Sequence, residues 1–215
     1  MRLTVLKVGG ASLVRTVIGE EATVVVHGAG PQISAEMERR GLEPRFVGGR
    51  RVTTREVLEI VRESFAAVNA QLCAAIGPRA VPLFGDEIGL LARRLPELGL
   101  VGEPLACTPA AVIDALAAGL VPVVAPLAAG PLNVNADEAA AALAVGLGAE
   151  RLLFLTDVPG VFHGGQLLRT IAARRAEALV GEGSFEGGIV PKLLAAARAA
   201  RGGLVAEIGT TEVVA

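Results

Sequence analysis

Asn133-Val134-Asn135-Ala136-Asp137 stands between a strand-like run, 121–125, and an Ala- and Leu-rich segment, 138–147, that is typical of a helix. Asn and Asp at such a junction can cap the free backbone N–H groups at the start of the helix. They can also form a polar site, because open α/β sheets bind ligands at the carboxyl ends of their strands. The stretch alone leaves both interpretations open.

Strand-like and helix-like segments alternate on both sides of this stretch. Apolar runs predict strands at 2–8, 23–27, 79–84, 121–125, 151–155, 204–208 and 211–214. Spacing and capping residues predict helices at 32–40, 54–75, 108–118 (with Thr108 as N-cap), 138–147 and 192–201. Glycine turns predict hairpins at 45–53 and 163–166, and a third short hairpin is expected within 97–105. The alternation predicts an α/β fold, a three-layer αβα sandwich with a central, mainly parallel sheet.

The composition excludes several kinds of protein. The chain has 215 residues, enough for one large α/β domain or two small lobes, and is 52% hydrophobic but only 3% aromatic, so its core must be aliphatic. A net charge of -2 gives no sign of a nucleic-acid surface, and no apolar run indicates a membrane span or a signal peptide. Cys73 and Cys107 lack metal-site and redox spacing, and we interpret them as buried thiols of a cytoplasmic protein. Two histidines do not suggest a metal site either.

The two lysines are unusual in a chain so rich in arginine. Lys and Arg together number 20, and only Lys7 and Lys192 are lysine. Lysine offers a compact charge on a slim stem, whereas arginine carries a broad planar fork. The two lysines therefore mark positions where arginine would not serve, unless they survive by chance. Both lie beside glycines.

Two glycine turns follow predicted strands, Lys7-Val8-Gly9-Gly10 and His27-Gly28-Ala29-Gly30. Such turns can present backbone N–H groups to an anion, or they can be plain strand-to-helix loops. Neither has the spacing of a Walker loop or of a dinucleotide-binding motif. We interpret His27 as a packing or hydrogen-bonding residue rather than a catalyst.

Arg50 and Arg51 are adjacent on one arm of the hairpin 45–53. Because side chains alternate along a strand, only one of the two can point inward. An inward guanidinium would suit a carboxylate ligand, and a solvated arginine pair is the alternative.

Two later motifs also end in polar residues. The strand at 151–155 stops at Thr156-Asp157, where a carboxylate could meet a sugar hydroxyl or a metal-bound phosphate, or could cap the turn. Lys192 follows Gly187 and Gly188 at a predicted helix N-terminus, where the helix dipole disfavours a cation. A phosphate bound there would be attracted both by the positive end of the helix dipole and by the Lys192 ammonium group.

In order along nearly the whole chain, these motifs resemble those of the amino acid kinase family, and within it the acetylglutamate kinase branch. Asn133-Val134-Asn135-Ala136-Asp137 fully matches the signature of that branch. Five further stretches are similar to family motifs: 7–10, 27–31, 49–53, 155–161 and 187–192.

The resemblance implies transfer of the γ-phosphoryl group of MgATP to the side-chain carboxylate of N-acetyl-L-glutamate, in arginine biosynthesis. It implies that Lys7 and Lys192 stabilise the transferred phosphoryl group and that Asp137 holds both ammonium groups. The remaining implied roles are substrate binding by Gly10, Ala29, Gly30, Arg51 and Asn133, and nucleotide binding by Gly9, Thr156, Asp157, Glu186, Gly187 and Gly188. Mg²⁺ would be carried by ATP, with no metal site of the protein's own.

The residue types fit this chemistry. A carboxylate is already a nucleophile, so the obstacle is the approach of two anions, which positioning and positive charge overcome. We expect residues 1–130 to form a lobe for the acyl substrate and for dimerisation, and 131–215 an ATP-binding lobe. A homodimer insensitive to arginine is expected, because arginine-inhibited members of the family carry an additional N-terminal helix.

Three features depart from the family pattern. Ala29 stands where glycine is more common, the segment between Gly10 and Thr23 is short, and so is the end after the helix 192–201. A sister kinase of an aminoadipate derivative or a carrier-linked glutamate is one alternative. A non-catalytic ligand-binding module of the same fold is another, although both lysines and Asp137 count against it.

Overall fold

The structure is a computed structural model that describes residues 2–9, 21–156 and 158–215. Gly10 and Asp157 lie outside the described residues, and so does most of the short segment between Gly10 and Thr23.

In chain order, strands β1–β16 are Leu3–Val8, Ala22–His27, Phe46–Val47, Arg50–Arg51, Ala80–Phe84, Ala92–Arg94, Val101–Pro104, Val121–Ala125, Leu127–Ala128, Leu132–Val134, Arg151–Phe154, Phe162–His163, Gln166–Leu167, Thr170–Ala172, Val205–Ile208 and Thr211–Val214. Helices α1–α6 are Gly30–Arg39, Arg55–Ile76, Ala110–Ala117, Ala136–Leu147, Ala173–Gly181 and Ile189–Arg201, and Pro96–Leu98 forms a 3₁₀ turn.

Eight of these strands form one central sheet in the order β14-β16-β15-β11-β1-β2-β8-β5. All neighbouring strands are parallel except β15 and β16, which are antiparallel. The prediction of a mainly parallel sheet is confirmed. β1 and β2 lie near the middle of the sheet. Because they are parallel, their carboxyl ends lie at the same edge of the sheet.

The sheet is covered on both faces, because successive side chains of a strand point to opposite sides. Val5 of β1 and Val24 of β2 belong to a core with α4, α5 and α6. Leu6 and Val25, one residue further along, belong to a second core with α1 and α2. The three-layer αβα sandwich is therefore confirmed.

A second, four-stranded sheet in the order β6-β7-β10-β9 extends the fold. β6 and β7 pair antiparallel across the 3₁₀ turn at Pro96–Leu98, so the third hairpin begins at Ala92. Our placement within 97–105 was wrong, because the arm 92–94 is half exposed and shows no apolar alternation. This sheet matters for the site because β10 leads directly into Asn135 and α4.

Two further expectations were wrong in detail, and one segment with regular structure was not predicted. Helix α3 begins at Ala110 with Pro109 as its N-cap in an extended conformation, so Thr108 does not cap it. The segment 170–181 forms β14 and α5, which the sequence did not predict because its polar outer faces obscure the apolar spacing. Cys73 and Cys107 are free thiols but half-buried rather than buried.

The other predicted strands, helices and hairpins form near the expected places. None of the helices in the described ranges has the length and apolar character needed to cross a membrane.

Candidate active site

The candidate site is a cleft of about 180 Å³ at the carboxyl ends of β1, β2 and β10. Strand ends at this edge of a parallel sheet are where α/β folds bind ligands. The cleft brings together side chains that are far apart in sequence. Six of the predicted site residues line it: Lys7, Ala29, Gly30, Arg51, Asn133 and Asp137.

Both lysines of the chain contact one carboxylate. The Nζ atom of Lys7 lies 2.9 Å from Oδ1 of Asp137, and the Nζ atom of Lys192 lies 3.3 Å from Oδ2 of the same residue. Asp137 and Lys7 are buried, and the side chain of Lys192 is 19% exposed. Two like charges held this close need the carboxylate between them.

The local fold explains how the three groups meet. Lys7 projects from the same face of β1 as Val5, towards α4, because the two residues are two positions apart. Asp137 lies in the first turn of α4, whose N-cap Asn135 accepts hydrogen bonds from the backbone N–H groups of Asp137 and Glu138. Helix α6 packs against α4 through small, buried alanines on both helices, which brings Lys192 within reach.

Burial lowers the pKa of Lys7, the Asp137 carboxylate partly offsets this, and the charge of Lys192 lowers the pKa further. Lys192 lies in the first turn of α6, a poor position for a cation. Asp137 compensates there, and so would an anion bound at the helix N-terminus.

The second glycine turn forms one wall of the cleft. The Gly28 N–H donates to the Val8 carbonyl at 3.2 Å, which fixes the turn to the end of β1. Ala29 has a φ of -144°, so its backbone does not require glycine, and its methyl group is buried in the core with α1. A side chain on Gly30 would meet no neighbour, so this residue leaves the cleft open.

Arg51 is the inward member of the arginine pair. It is buried, its Nη2 donates to the Gly30 carbonyl at 3.1 Å and to Ser34 Oγ at 2.9 Å, and it stacks 4.5 Å from the centre of the Phe46 ring. Burial lowers its pKa, and no described Asp or Glu pairs with it. A buried guanidinium without a carboxylate partner is costly, and an anionic ligand would compensate it.

Arg50 points to the opposite side of the hairpin and is not the solvated residue of the alternative interpretation. Its Nε lies 3.0 and 3.1 Å from the two carboxylate oxygens of Glu138, and its Nη2 lies 3.6 Å from Glu103. Burial raises the pKa of Glu138, and Arg50 partly reverses this. Nothing in the local sequence indicates these partners of Arg50, although Glu138 directly follows Asp137.

Asn133 lies at the back of the cleft. Its Nδ2 donates to Thr53 Oγ1 at 3.0 Å, and that hydroxyl donates to the Arg51 carbonyl at 2.8 Å. This chain of hydrogen bonds ties β10 to the hairpin arm that carries Arg51, so Asn133 supports the site as well as facing it.

Two of the predicted nucleotide residues, Gly9 and Thr156, follow neighbouring strands of the central sheet. Gly9 follows β1, and Thr156 follows the neighbouring strand β11, where the Leu155 N–H donates to the Lys7 carbonyl at 2.9 Å. Glu186, Gly187 and Gly188 are exposed and directly precede α6. Their roles stay predictions, and Asp157 lies outside the described residues.

The arrangement can hold two anions next to each other. The Arg51 guanidinium and the Lys7 ammonium group line the cleft, whereas Lys192 does not line it and reaches it only through its contact with Asp137. In the described part of the chain, no cluster of three or more His, Cys, Asp or Glu side chains could hold a metal ion.

Comparison with known proteins agrees with this geometry. The sequence model of the Amino acid kinase family matches residues 2–209. The chain is 42% identical to "Acetylglutamate kinase" of Rubrobacter xylanophilus, covering 97% of this chain and 88% of that protein. It is also 42% identical to "Acetylglutamate kinase" of Saccharopolyspora erythraea, covering 84% of this chain but only 66% of that protein.

A solved structure has the same fold. The protein smu.665 from Streptococcus mutans UA159 superposes with a TM-score of 0.88 at 24% sequence identity, covering 99% of this chain and 98% of that chain.

Proposed function

This chain belongs to the amino acid kinase family, and from that premise we propose that it transfers the γ-phosphoryl group of MgATP to the side-chain carboxylate of N-acetyl-L-glutamate. The product is N-acetylglutamyl 5-phosphate, an intermediate of arginine biosynthesis. The protein is thus an acetylglutamate kinase, the activity named for relatives that are 42% identical to it over most of the chain.

The observation that carries the proposal is the positive charge in and beside one cleft, which Lys7 and Arg51 line and which Lys192 adjoins through Asp137. Lys7 and Lys192 share the Asp137 carboxylate, and Arg51 is buried without a carboxylate partner among the described residues. Arg50, which also lines the cleft, is paired with Glu138. Lys7, Lys192 and Arg51 therefore have one carboxylate between them and leave an excess of positive charge for two anionic substrates. A phosphate and a carboxylate would both be stabilised there.

The chemistry needs no general base. The side-chain carboxylate of the substrate attacks the γ-phosphorus, the bond from that phosphorus to the bridging oxygen breaks, and ADP leaves with its negative charge. Lys7 and Lys192 neutralise charge on the phosphoryl oxygens as it spreads during transfer. Asp137 keeps both ammonium groups aimed at that point.

Substrate orientation falls to the other residues of the cleft. Arg51 binds the α-carboxylate of the acyl amino acid, Asn133 contacts its amide part, and the backbone N–H groups of Gly10, Ala29 and Gly30 approach the reacting groups. Gly9, Thr156, Asp157 and residues 186–188 hold the nucleotide. Because the donor set near the cleft is cationic, Mg²⁺ is assigned to the ATP phosphates, where it reduces their charge.

The wider setting belongs to the same proposal. Residues 1–130 bind the acyl substrate and form the dimer, and 131–215 bind ATP. The enzyme is proposed to be a cytoplasmic homodimer that acts on small molecules and contacts neither nucleic acid nor membrane.

A hydroxamate-trapping assay with MgATP tests the activity. It compares N-acetyl-L-glutamate, free glutamate and N-acetyl-aminoadipate, with Lys192→Arg as the variant that should lose turnover. Acyl phosphate formed only from N-acetyl-L-glutamate supports the proposal. Turnover mainly on the aminoadipate compound would assign the chain to a sister kinase, and ATP binding without any acyl phosphate would indicate a non-catalytic module.

A further inference from the structure

The hairpin β3–β4 cannot hold its own position. Each strand has two residues, and Phe46 and Val47 on the outer arm are both more than half exposed. Isolated two-stranded hairpins are marginally stable at best. The position of Arg51 therefore depends on what anchors the hairpin to the rest of the protein.

Two adjacent arginines anchor the inner arm on opposite sides. Arg51 reaches towards α1, where it contacts Gly30 and Ser34. Arg50 reaches towards α4 and β7, where its single Nε–H is shared between the two carboxylate oxygens of Glu138 and its Nη2 lies 3.6 Å from Glu103. The two contacts hold the arm from both faces, as alternation along a strand requires.

The tip of the hairpin touches the same structural elements. Asn135 Nδ2 donates to the Gly49 carbonyl at 3.2 Å, and a methyl group built on Gly49 would lie 3.4 Å from Pro191. Asn135 is the N-cap of α4, and Pro191 directly precedes Lys192. The hairpin tip is thus hydrogen-bonded to the N-cap of the helix that carries Asp137, and it lies close to the turn that carries Lys192.

The Arg50 contact is not an ordinary surface ion pair. Its side chain is 24% exposed and that of Glu138 is 18% exposed, whereas the Arg151–Glu207 pair at the other end of the sheet has side chains that are 48% and 22% exposed. The Arg50 pair is the more buried of the two, so solvent screens it less, whereas Arg151 contacts one oxygen of Glu207 through two nitrogens near the surface. Its place between the hairpin and α4 gives it a role that the Arg151 pair does not have.

We propose that Arg50 is a positioning residue that locks the substrate hairpin onto α4 through Glu138 and so keeps Arg51 aimed at the acyl substrate. This inference rests on the proposed function only for the identity of the substrate. The contacts of Arg50 are with residues of the chain itself, so the proposed lock does not depend on which ligand is bound.

A double-mutant cycle tests the lock. Arg50→Gln, Glu138→Ala and the double variant are compared with the wild type, and Arg151→Gln, Glu207→Ala and their double variant form the matched control. Titration calorimetry measures the Kd of N-acetyl-L-glutamate and of MgATP. Hydrogen–deuterium exchange of segment 45–53 is measured on the ligand-free protein.

If Arg50 acts through Glu138, each single variant and the double variant should weaken N-acetyl-L-glutamate binding by about tenfold, with no further loss in the double variant. Binding of MgATP should stay within about twofold, since its proposed site does not include the hairpin. Segment 45–53 should exchange faster in all three variants, and the control cycle should change none of these quantities.

Additive effects of the two single variants, an unchanged Kd for N-acetyl-L-glutamate, or unchanged exchange at 45–53 would each overturn the proposal. If the wild type itself fails to bind N-acetyl-L-glutamate, the proposed function is wrong. The exchange measurement then still decides whether Arg50 locks the hairpin.

Discussion

Lys7 and Lys192 come from opposite ends of the chain and contact different oxygens of one carboxylate, Oδ1 of Asp137 at 2.9 Å and Oδ2 at 3.3 Å. Neither lysine reaches its position through local structure alone. β1 positions Lys7, and the packing of α6 against α4 positions Lys192. The first turn of α4 places the Asp137 carboxylate between them. The geometry of the proposed phosphoryl site therefore depends on one buried side chain.

Asp137→Asn should remove the negative charge that holds the two lysines in place. Two ammonium groups would remain close together without an anion, which we expect to destabilise the folded protein by roughly 3 kcal/mol and to lower kcat by about 100-fold or more. MgATP should raise the Tm of the variant more than that of the wild type, because phosphate would replace the missing charge.

Thermal unfolding with and without MgATP, together with steady-state kinetics, checks this expectation. Asp114→Asn on the exposed face of α3 is the matched control. A variant that keeps wild-type kcat would show that the ammonium groups need no shared carboxylate.

Replacement of either lysine by arginine should abolish most turnover without removing charge. A planar guanidinium cannot occupy the space of a compact ammonium beside Asp137. Because the side chain of Lys7 is 9% exposed and that of Lys192 is 19% exposed, we expect the larger loss for Lys7→Arg, about 1000-fold in kcat against about 100-fold for Lys192→Arg.

Single-turnover measurements with saturating substrates separate this effect from weaker binding. The reverse exchange at an exposed site, Arg151→Lys, serves as a control and should leave kcat unchanged. Equal activity of Lys7→Arg and the wild type would contradict the idea that the two lysines survive where arginine cannot serve.

The sequence was sufficient to predict the direction of a side chain where that direction follows from the residue's own strand or helix. Alternation along β1 already required that Lys7 and Val5 share a face, and the glycine pair 48–49 predicted a hairpin that placed only one arginine inward. What could not be predicted were contacts between elements distant in sequence. The Arg50–Glu138 pair spans 88 residues, and nothing local to either residue indicates it.

The second sheet was missed for a similar reason. Its strands β6 and β9 have only three and two residues, and they are held in place by β7 and β10 rather than by their own apolar patterns. Short strands of this kind form because a neighbour offers free backbone groups, which a reading of local spacing does not detect.

Arg51→Lys should weaken the binding of the acyl substrate much more than the binding of MgATP. Lysine keeps the charge but cannot make two parallel hydrogen bonds to a carboxylate, nor reach Ser34 and Gly30 in the same way. We expect the KM for N-acetyl-L-glutamate to rise about 30-fold, equivalent to ~2 kcal/mol, with a much smaller change in the KM for MgATP.

Initial rates with each substrate varied in turn decide the matter. The prediction fails if the KM for MgATP rises as much as that for N-acetyl-L-glutamate, because Arg51 would then support the whole cleft rather than one ligand.

His27 should make the protein less stable in mild acid. It is fully buried, Asn69 Nδ2 lies 3.1 Å from its Nε2, and its Nδ1 lies 3.4 Å from the Gly28 carbonyl. Asn69 acts as the donor, so the ring proton belongs on Nδ1. Burial lowers the pKa of His27 to about 4, the Gly28 carbonyl partly offsets this, and Lys7 adds to the lowering.

The sign of the effect follows from proton uptake. An unfolded chain binds a proton at His27 near pH 6.5, whereas the folded protein does not do so until about pH 4. Acid therefore favours the unfolded state: the penalty is absent above pH 6.5, grows as the pH falls, and is complete below about 4. Its full size is roughly 3 kcal/mol.

Urea unfolding at a series of pH values between 4 and 7 measures this loss, and His27→Gln should flatten the profile by a similar amount. His163→Gln, on the tip of the hairpin formed by β12 and β13, is the matched control and should leave the profile of the wild type in place. Because His27 adjoins the turn that lines the cleft, His27→Gln should also raise the KM for N-acetyl-L-glutamate several-fold at neutral pH. A profile as steep in His27→Gln as in the wild type would assign the acid sensitivity to other groups.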